Sequence, residues 1–179
     1  MKITPGNKST SIILFMIIIL VFFISCSTMI LENNQEELEL IKNVFYEAGY
    51  YYYNTETDIY TIYDINKKQI GYVFLVEGMS YSGTGLFSKL PAPMTILIGL
   101  ADKNTIKNIY VVNHDEDIIF WNILIEKDYF EQFVNLKIKD AALRSEGGQI
   151  DSVTGATLSA MSVVDIVREA ALEKAKKIK

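Results

Sequence analysis

Apolar and polar positions divide the chain into stretches of different rhythm. The first, Ile12 to Ile24, reads "IILFMIIILVFFI" without a polar residue, a length within the ~7 to 15 residues of a signal-peptide apolar region. From Glu32 the rhythm becomes helical. In "ENNQEELELIKNVFYEAGY", Leu38, Ile41, Phe45 and Ala48 recur at 3-4-3 spacing, which predicts a helix closed by Gly49 in the C-cap position. Alternating β-branched and aromatic runs follow. "DIYTIYDI" and "QIGYVFLVEG" are separated by Asn66, Lys67 and Lys68, and "PMTILIGLAD" and "NTIKNIYVVNHDED" turn around Asp102 to Asn104, so two hairpins and a four-stranded antiparallel sheet are expected. "GYYYYN" at 49 to 54 is assigned to the beginning of a strand or the rim of the core, not to a ligand.

"EKDYFEQFVN" is a short helix candidate with Phe130 and Phe133 on one face. From Leu158 on, helical periodicity returns: Leu158, Met161, Val164, Val167 and Ala171 form one stripe, with Asp165, Arg168, Glu169 and Glu173 off it. Lys174, Lys176 and Lys177 fall in the final turns, where the helix dipole favours cations. Helix, hairpins and final helix predict an α+β fold, an antiparallel sheet with helices packed on it, behind an N-terminal signal or anchor segment. The expected division is 1–25 signal peptide or membrane anchor, 26–36 tether and 37–179 a single domain.

Composition removes several classes of chemistry. The formal charge is -5, and the cations are scattered except in the C-terminal "EKAKKIK", so nucleic acid is not an expected partner. With one His and one Cys, the chain holds no CxxCH haem site, no cysteine cluster for zinc or iron–sulfur, and no intrachain disulfide.

The cysteine stands at the end of the apolar run, in "FISC". That sequence resembles the lipobox of bacterial lipoproteins, with Phe23 where leucine is preferred. On this reading Cys26 becomes the lipidated mature N-terminus. The other reading is an uncleaved anchor, because extension through Met29, Ile30 and Leu31 gives about twenty residues, enough for a span. Both place the domain outside the cytoplasm, at the extracytoplasmic face of the cytoplasmic membrane.

Just before the last helix, "DSVTGATLSA" concentrates hydroxyls, an acid and a glycine at residues 151 to 160. Two uses of it are open. In one, Gly155 supplies an unusual backbone angle and Thr154 or Thr157 caps the helix by accepting a hydrogen bond from a free N–H. In the other, the helix N-terminus is a phosphate site, Gly155 and Ala156 leave room for close approach, and a threonine hydroxyl bears a phosphoester.

These residues resemble the Asp-x-x-Ser/Thr-Gly-Ala-Thr flavinylation signature of the FMN-binding domain family, found in extracytoplasmic FMN-carrying subunits of Rnf and sodium-pumping NADH:quinone oxidoreductase complexes. The resemblance runs from about residue 70 to 170 in the family's order. "IGYVFLVEGMSYSGTG" is similar to the family's strand and Tyr-Ser-Gly loop, "MTILIGLADKNTIKNIYVVNHDED" to its hairpin and His-x-Glu element, and "YFEQF" to its Trp-Phe-x-x-Gln-Phe segment.

The resemblance implies that a flavin transferase moves FMN onto the Thr157 hydroxyl. It further implies that Asp151, Thr154, Gly155 and Ala156 complete the signature, that Tyr81, Ser82 and Gly83 line the phosphate or ribityl side, and that His114 and Glu116 lie near the isoalloxazine ring. Where relatives carry Thr-Pro-Gly-Leu-Gly, this chain has "DIIFWN", Asp117 to Asn122. There Phe120 and Trp121 offer faces for stacking on the ring, and Asp117 an acid to tune it. The implied function is a membrane-anchored electron-transfer flavoprotein with covalent FMN, exchanging electrons with redox partner proteins of a membrane chain. A flavin-free lipoprotein that uses the same fold for binding or scaffolding is the alternative. A Ser-His-Asp hydrolase is not expected, because no GxSxG elbow accompanies the one histidine.

Overall fold

The computed structural model describes residues 31–81 and 91–178. Ser82, Gly83, Cys26 and the apolar run lie outside the described residues, as does the proposed signal or anchor. Among the described residues no helix is long and apolar enough to cross a membrane. The fold is under way ahead of residue 37: Glu32 N–H donates to Tyr51 O at 2.7 Å and Glu32 O accepts from Tyr51 N–H at 2.9 Å.

Helix α1 (Gln35–Lys42) starts behind Asn34, whose side chain accepts from Glu36 N–H. It stops well before Gly49, because the Asn43 side-chain amide donates to Glu39 O and Leu40 O and satisfies the last carbonyls. Ala48 and Gly49 instead open strand β1 (Ala48–Asn54), so "GYYYYN" is a fifth strand rather than the start of another one. It is followed by β2 (Ile59–Asp64), β3 (Gln69–Tyr81), β4 (Pro91–Asp102) and β5 (Thr105–His114). All neighbours pair antiparallel in the order β1-β2-β3-β4-β5. The β2–β3 turn contains Lys67 at φ 61, held by the Asp64 side chain, which accepts from Asn66 N–H and Lys68 N–H.

Alternation along the strands gives the sheet two apolar faces. On one, Leu38, Ile41, Val44 and Phe45 pack against Tyr51, Ile62, Val73 and Leu97. Phe45 lies on a glycine floor: a Cβ at Gly71 would stand 2.3 Å from its Cζ. On the other, Phe74, Met94, Ile96, Ile98 and Leu100 meet the long helix α3 (Thr157–Lys177).

The buried face of α3 is carried by small residues, Ala160, Val163, Val164, Val167 and Ala171, while Leu158 and Met161 of the expected stripe are half-buried. Close approach explains the shift, since a Cβ at Gly78 of β3 would meet Ile166 Cγ1 at 2.5 Å. Between β5 and α3 run the helix α2 (Ile118–Glu126) and three 3-10 turns, Tyr129–Phe133, Ile138–Asp140 and Arg144–Glu146. The fold is therefore α+β, with five strands where the pattern had predicted four.

Candidate functional site

The candidate site lies where β3, β5, α2 and the first turn of α3 converge. Gly155 has φ +91, a conformation that a side chain disfavours, and a Cβ there would come within 3.3 Å of Ile123 Cδ1. This turn delivers the chain to the N-cap, Ala156, which is buried and supplies no side-chain cap. The first intrahelical bond is Ala160 N–H to Ala156 O at 2.9 Å, so the amides of Thr157, Leu158 and Ser159 precede the helical ladder.

Neither threonine acts as the expected cap. Thr154 is exposed, and Thr157 is the first helical residue, exposed, its hydroxyl donating to Val153 O at 3.2 Å. A capping hydroxyl accepts from an amide, whereas this one donates to a carbonyl. Its proton is held inward and its lone pairs are left on the open side.

Asp151, the signature's acid, is exposed and turned to other partners. Its Oδ1 accepts from Arg144 Nε at 2.6 Å. Its backbone is bracketed by Gln132, whose Oε1 accepts from Asp151 N–H at 2.7 Å and whose Nε2 donates to Asp151 O at 3.3 Å. Three residues earlier, the buried Tyr129 hydroxyl donates to Ala160 O at 2.7 Å, and burial raises its pKa. The "YFEQF" turn thus holds the signature segment at both ends. Lys127, Gln132, Asp151, Ser152, Val153 and Thr154 line a cleft of ≈ 510 Å³ on its outer side, within the size range of cofactor pockets.

His114 ends β5, opposite Met94. Its ring stacks on Trp121 of α2, with centroids 3.7 Å apart and planes at 25°, and Trp121 in turn meets Phe130 at 5.2 Å. Nδ1 of His114 is buried without a hydrogen-bond partner among the described residues. Burial pushes the imidazole pKa down, against the upward pull of Glu116 and Asp115. Phe120 is half-buried, and Asp117 caps α2, its side chain accepting from Ile119 N–H at 2.8 Å.

Glu116 is a buried strut rather than an open contact. One oxygen accepts from the Ser80 hydroxyl at the end of β3, and the other from the Ser159 hydroxyl at 3.1 Å, in the first turn of α3. Ser80, Glu116 and Ser159 are 0%, 7% and 2% exposed. The structure therefore joins Glu116 to the Thr157 turn through Ser159, places His114 and Trp121 together, and sets Asp151 aside as an anchor.

Sequence reasoning had assigned no role to Ser80, Ser159 or Gln132. All three stand within the quoted stretches, and their polar type was the available signal. The helix α2 was also missed. Asp117 followed by "IIFWNILIE" is an N-cap and apolar run.

Comparisons with known proteins bear on the same segments. Residues 90–172 match the model of the FMN-binding domain. The chain is 31% identical over 108 residues to a protein of Methanosarcina acetivorans, one of the subunits of its ion-translocating oxidoreductase complex, in a match covering 60% of this chain and 53% of that protein. It thus spans about half the length of the curated relative it matches. The crystal structure of Shewanella oneidensis NqrC aligns with a TM-score of 0.46 and 18% identity, over 67% of this chain and 61% of that one.

Proposed function

We propose that the chain, whose residues 90–172 match the FMN-binding domain model, is an electron-transfer flavoprotein carrying FMN as a phosphoester on Thr157. One observation carries the proposal: the exposed Thr157 hydroxyl, on a helix N-terminus without a side-chain cap, beyond a glycine at positive φ. The first-turn amides and the positive end of the α3 dipole favour a phosphate at this position. In the transfer, Thr157 Oγ loses its proton and bonds to the flavin-side phosphorus of FAD, the pyrophosphate P–O bond breaks, and AMP leaves. A flavin transferase acts as the partner for that step.

The bound flavin supplies one- and two-electron transfer; the protein holds it and sets its surroundings. Gly155 allows the turn, Val153 O accepts from the Thr157 hydroxyl before the transfer, and Gln132 with Tyr129 fixes the segment against the core. Thr154 and Ala156 complete the turn, and His114, with its unpartnered Nδ1, is proposed as the polar group that would lie near the flavin ring. Ser82 and Gly83 are proposed for the phosphate or ribityl side.

A covalent link suits a protein outside the cytoplasm, where a dissociated flavin diffuses away. The apolar run and Cys26 are proposed to anchor the domain at the extracytoplasmic face of the membrane, by lipid or by a single span, beside the redox proteins it serves. The flavin-free reading draws on one observation, that "DIIFWN" opens the helix α2, whose Trp121 stacks on His114.

Co-expression of the full chain with a flavin transferase, followed by denaturing gel electrophoresis, separates the two. Flavin fluorescence on the band, absent in Thr157→Ala, is expected. A dark band from folded protein, with the transferase active on another substrate, would overturn the proposal.

A further inference from the structure

We propose that α2 is the docking surface for a protein partner that presents an apolar patch edged by lysine or arginine. Of the sequence IIFWNILIE, only Leu124 is fully buried. Ile118, Ile119 and Ile125 are 63%, 65% and 51% exposed. Ile118, Asn122 and Ile125 share one helical face, at i, i+4 and i+7, with Ile119 and Glu126 at its border. The fold thus leaves its most apolar helix facing water, a pattern that marks an interaction site.

Charge selects the occupant. Exposed Asp115 and Asp117 precede the helix, and exposed Glu126, its last residue, and Asp128 close it, with Lys127 as the one cation between residues 115 and 128. An apolar centre with a charged rim has the anatomy of a protein interface. A second copy would bring acidic ends against acidic ends in either helix orientation, which is repulsive. An anionic lipid surface is repelled in the same way. A basic rim on a partner protein is attracted, and attraction at both ends fixes its register.

The surface adjoins the reactive segment. Trp121 of the same helix stacks on His114, and Ile123 Cδ1 is the nearest atom to where a Cβ of Gly155 would stand. A partner seated on α2 therefore sits on the helix that touches the Gly155 turn. Only the meaning of that proximity, electron exchange, rests on the proposed flavin; the docking itself does not.

Hydrogen exchange on the full chain in phosphatidylcholine nanodiscs tests the inference, with cytochrome c, a small basic protein whose apolar haem edge is ringed by lysines, as the probe. Cytochrome c at low salt is expected to protect peptides across 117–126, and 0.5 M salt to remove the protection. Ile119→Ser, which removes the exposed apolar side chain without adding charge, is expected to raise the Kd about tenfold. Protection of α2 by the disc alone, or by raising the chain's own concentration, would overturn the proposal in favour of lipid or a second copy. Protection confined to the acidic groove of Glu77, Asp165 and Glu169 between β3 and α3 would overturn it as unspecific charge attraction. None of these readouts needs flavin, so an unmodified Thr157 and an unoccupied α2 are separate failures.

Discussion

Replacing Ser159 by alanine removes one of two hydroxyls that meet the buried Glu116 carboxylate, and with it the tie between the signature helix and the end of β5. A hydrogen bond to a charged group contributes about 1.5–3 kcal/mol, and Ser159 and Glu116 are 2% and 7% exposed, so water is poorly placed to replace it. At ~2–4 °C per kcal/mol for a chain of this size, Ser159→Ala is expected to lower the melting temperature by roughly 3–12 °C.

Glu116→Ala leaves both hydroxyls unpaired, each costing about 1–3 kcal/mol, and opens a void as well. Glu116→Gln separates geometry from charge. Its amide oxygen accepts from one serine while its NH2 donates to the other's oxygen, so both ties persist and the loss stays within about 1 kcal/mol. Thermal and urea melts followed by circular dichroism give the order. A Ser159→Ala variant within about 0.5 kcal/mol of the parent, or a Gln variant as weak as the Ala variant, would refute the strut.

Gly155→Ala forces a side chain into φ +91 against Ile123, a strain of about 1–2 kcal/mol. It is expected to destabilise the domain by that amount in urea melts and to slow flavin attachment. Gln132→Ala removes both bonds to the Asp151 backbone and is expected to lose about 1–2 kcal/mol. Arg144→Ala, at an exposed ion pair, should lose under about 0.5 kcal/mol. The chain has a single tryptophan, and it stacks on His114, so its fluorescence should fall as the imidazole protonates. The midpoint is expected below the model-peptide value of about 6.5, because burial depresses the folded pKa. By linkage the unfolded chain then binds the proton first, so the histidine's contribution favours the fold above pH ~6.5 and is lost as pH falls through the folded pKa. A midpoint above the model value would reverse the assignment.

The hairpins were legible because their strands alternate and their turns carry Asn, Asp and Lys at the bends. β1 was less so: its four consecutive tyrosines give no alternation, although only Tyr51 among them is fully buried. The end of α1 was hidden because a side chain, Asn43, closes it without any break in apolar periodicity. On α3 the expected stripe held at Val164, Val167 and Ala171, but in its first turns Ala160 and Val163 are the buried residues while Leu158 and Met161 are half-buried.

At the site, the reading located the segment but not the internal wiring. Thr157, Gly155 and the His114–Glu116 pair were visible as types in a pattern. That Glu116 turns inward to two serines, and that Asp151 serves Arg144, depends on contacts 43 and 7 residues apart in sequence, which no local spacing encodes.

The most direct test of the account is the intact mass of the full chain co-expressed with a flavin transferase, beside its Thr157→Ala counterpart, with fragmentation to locate any added mass. The account predicts a gain equal to FMN less one water, mapped to Thr157 and absent from the variant. An unchanged mass in the folded parent, or the same gain on another residue, would contradict it.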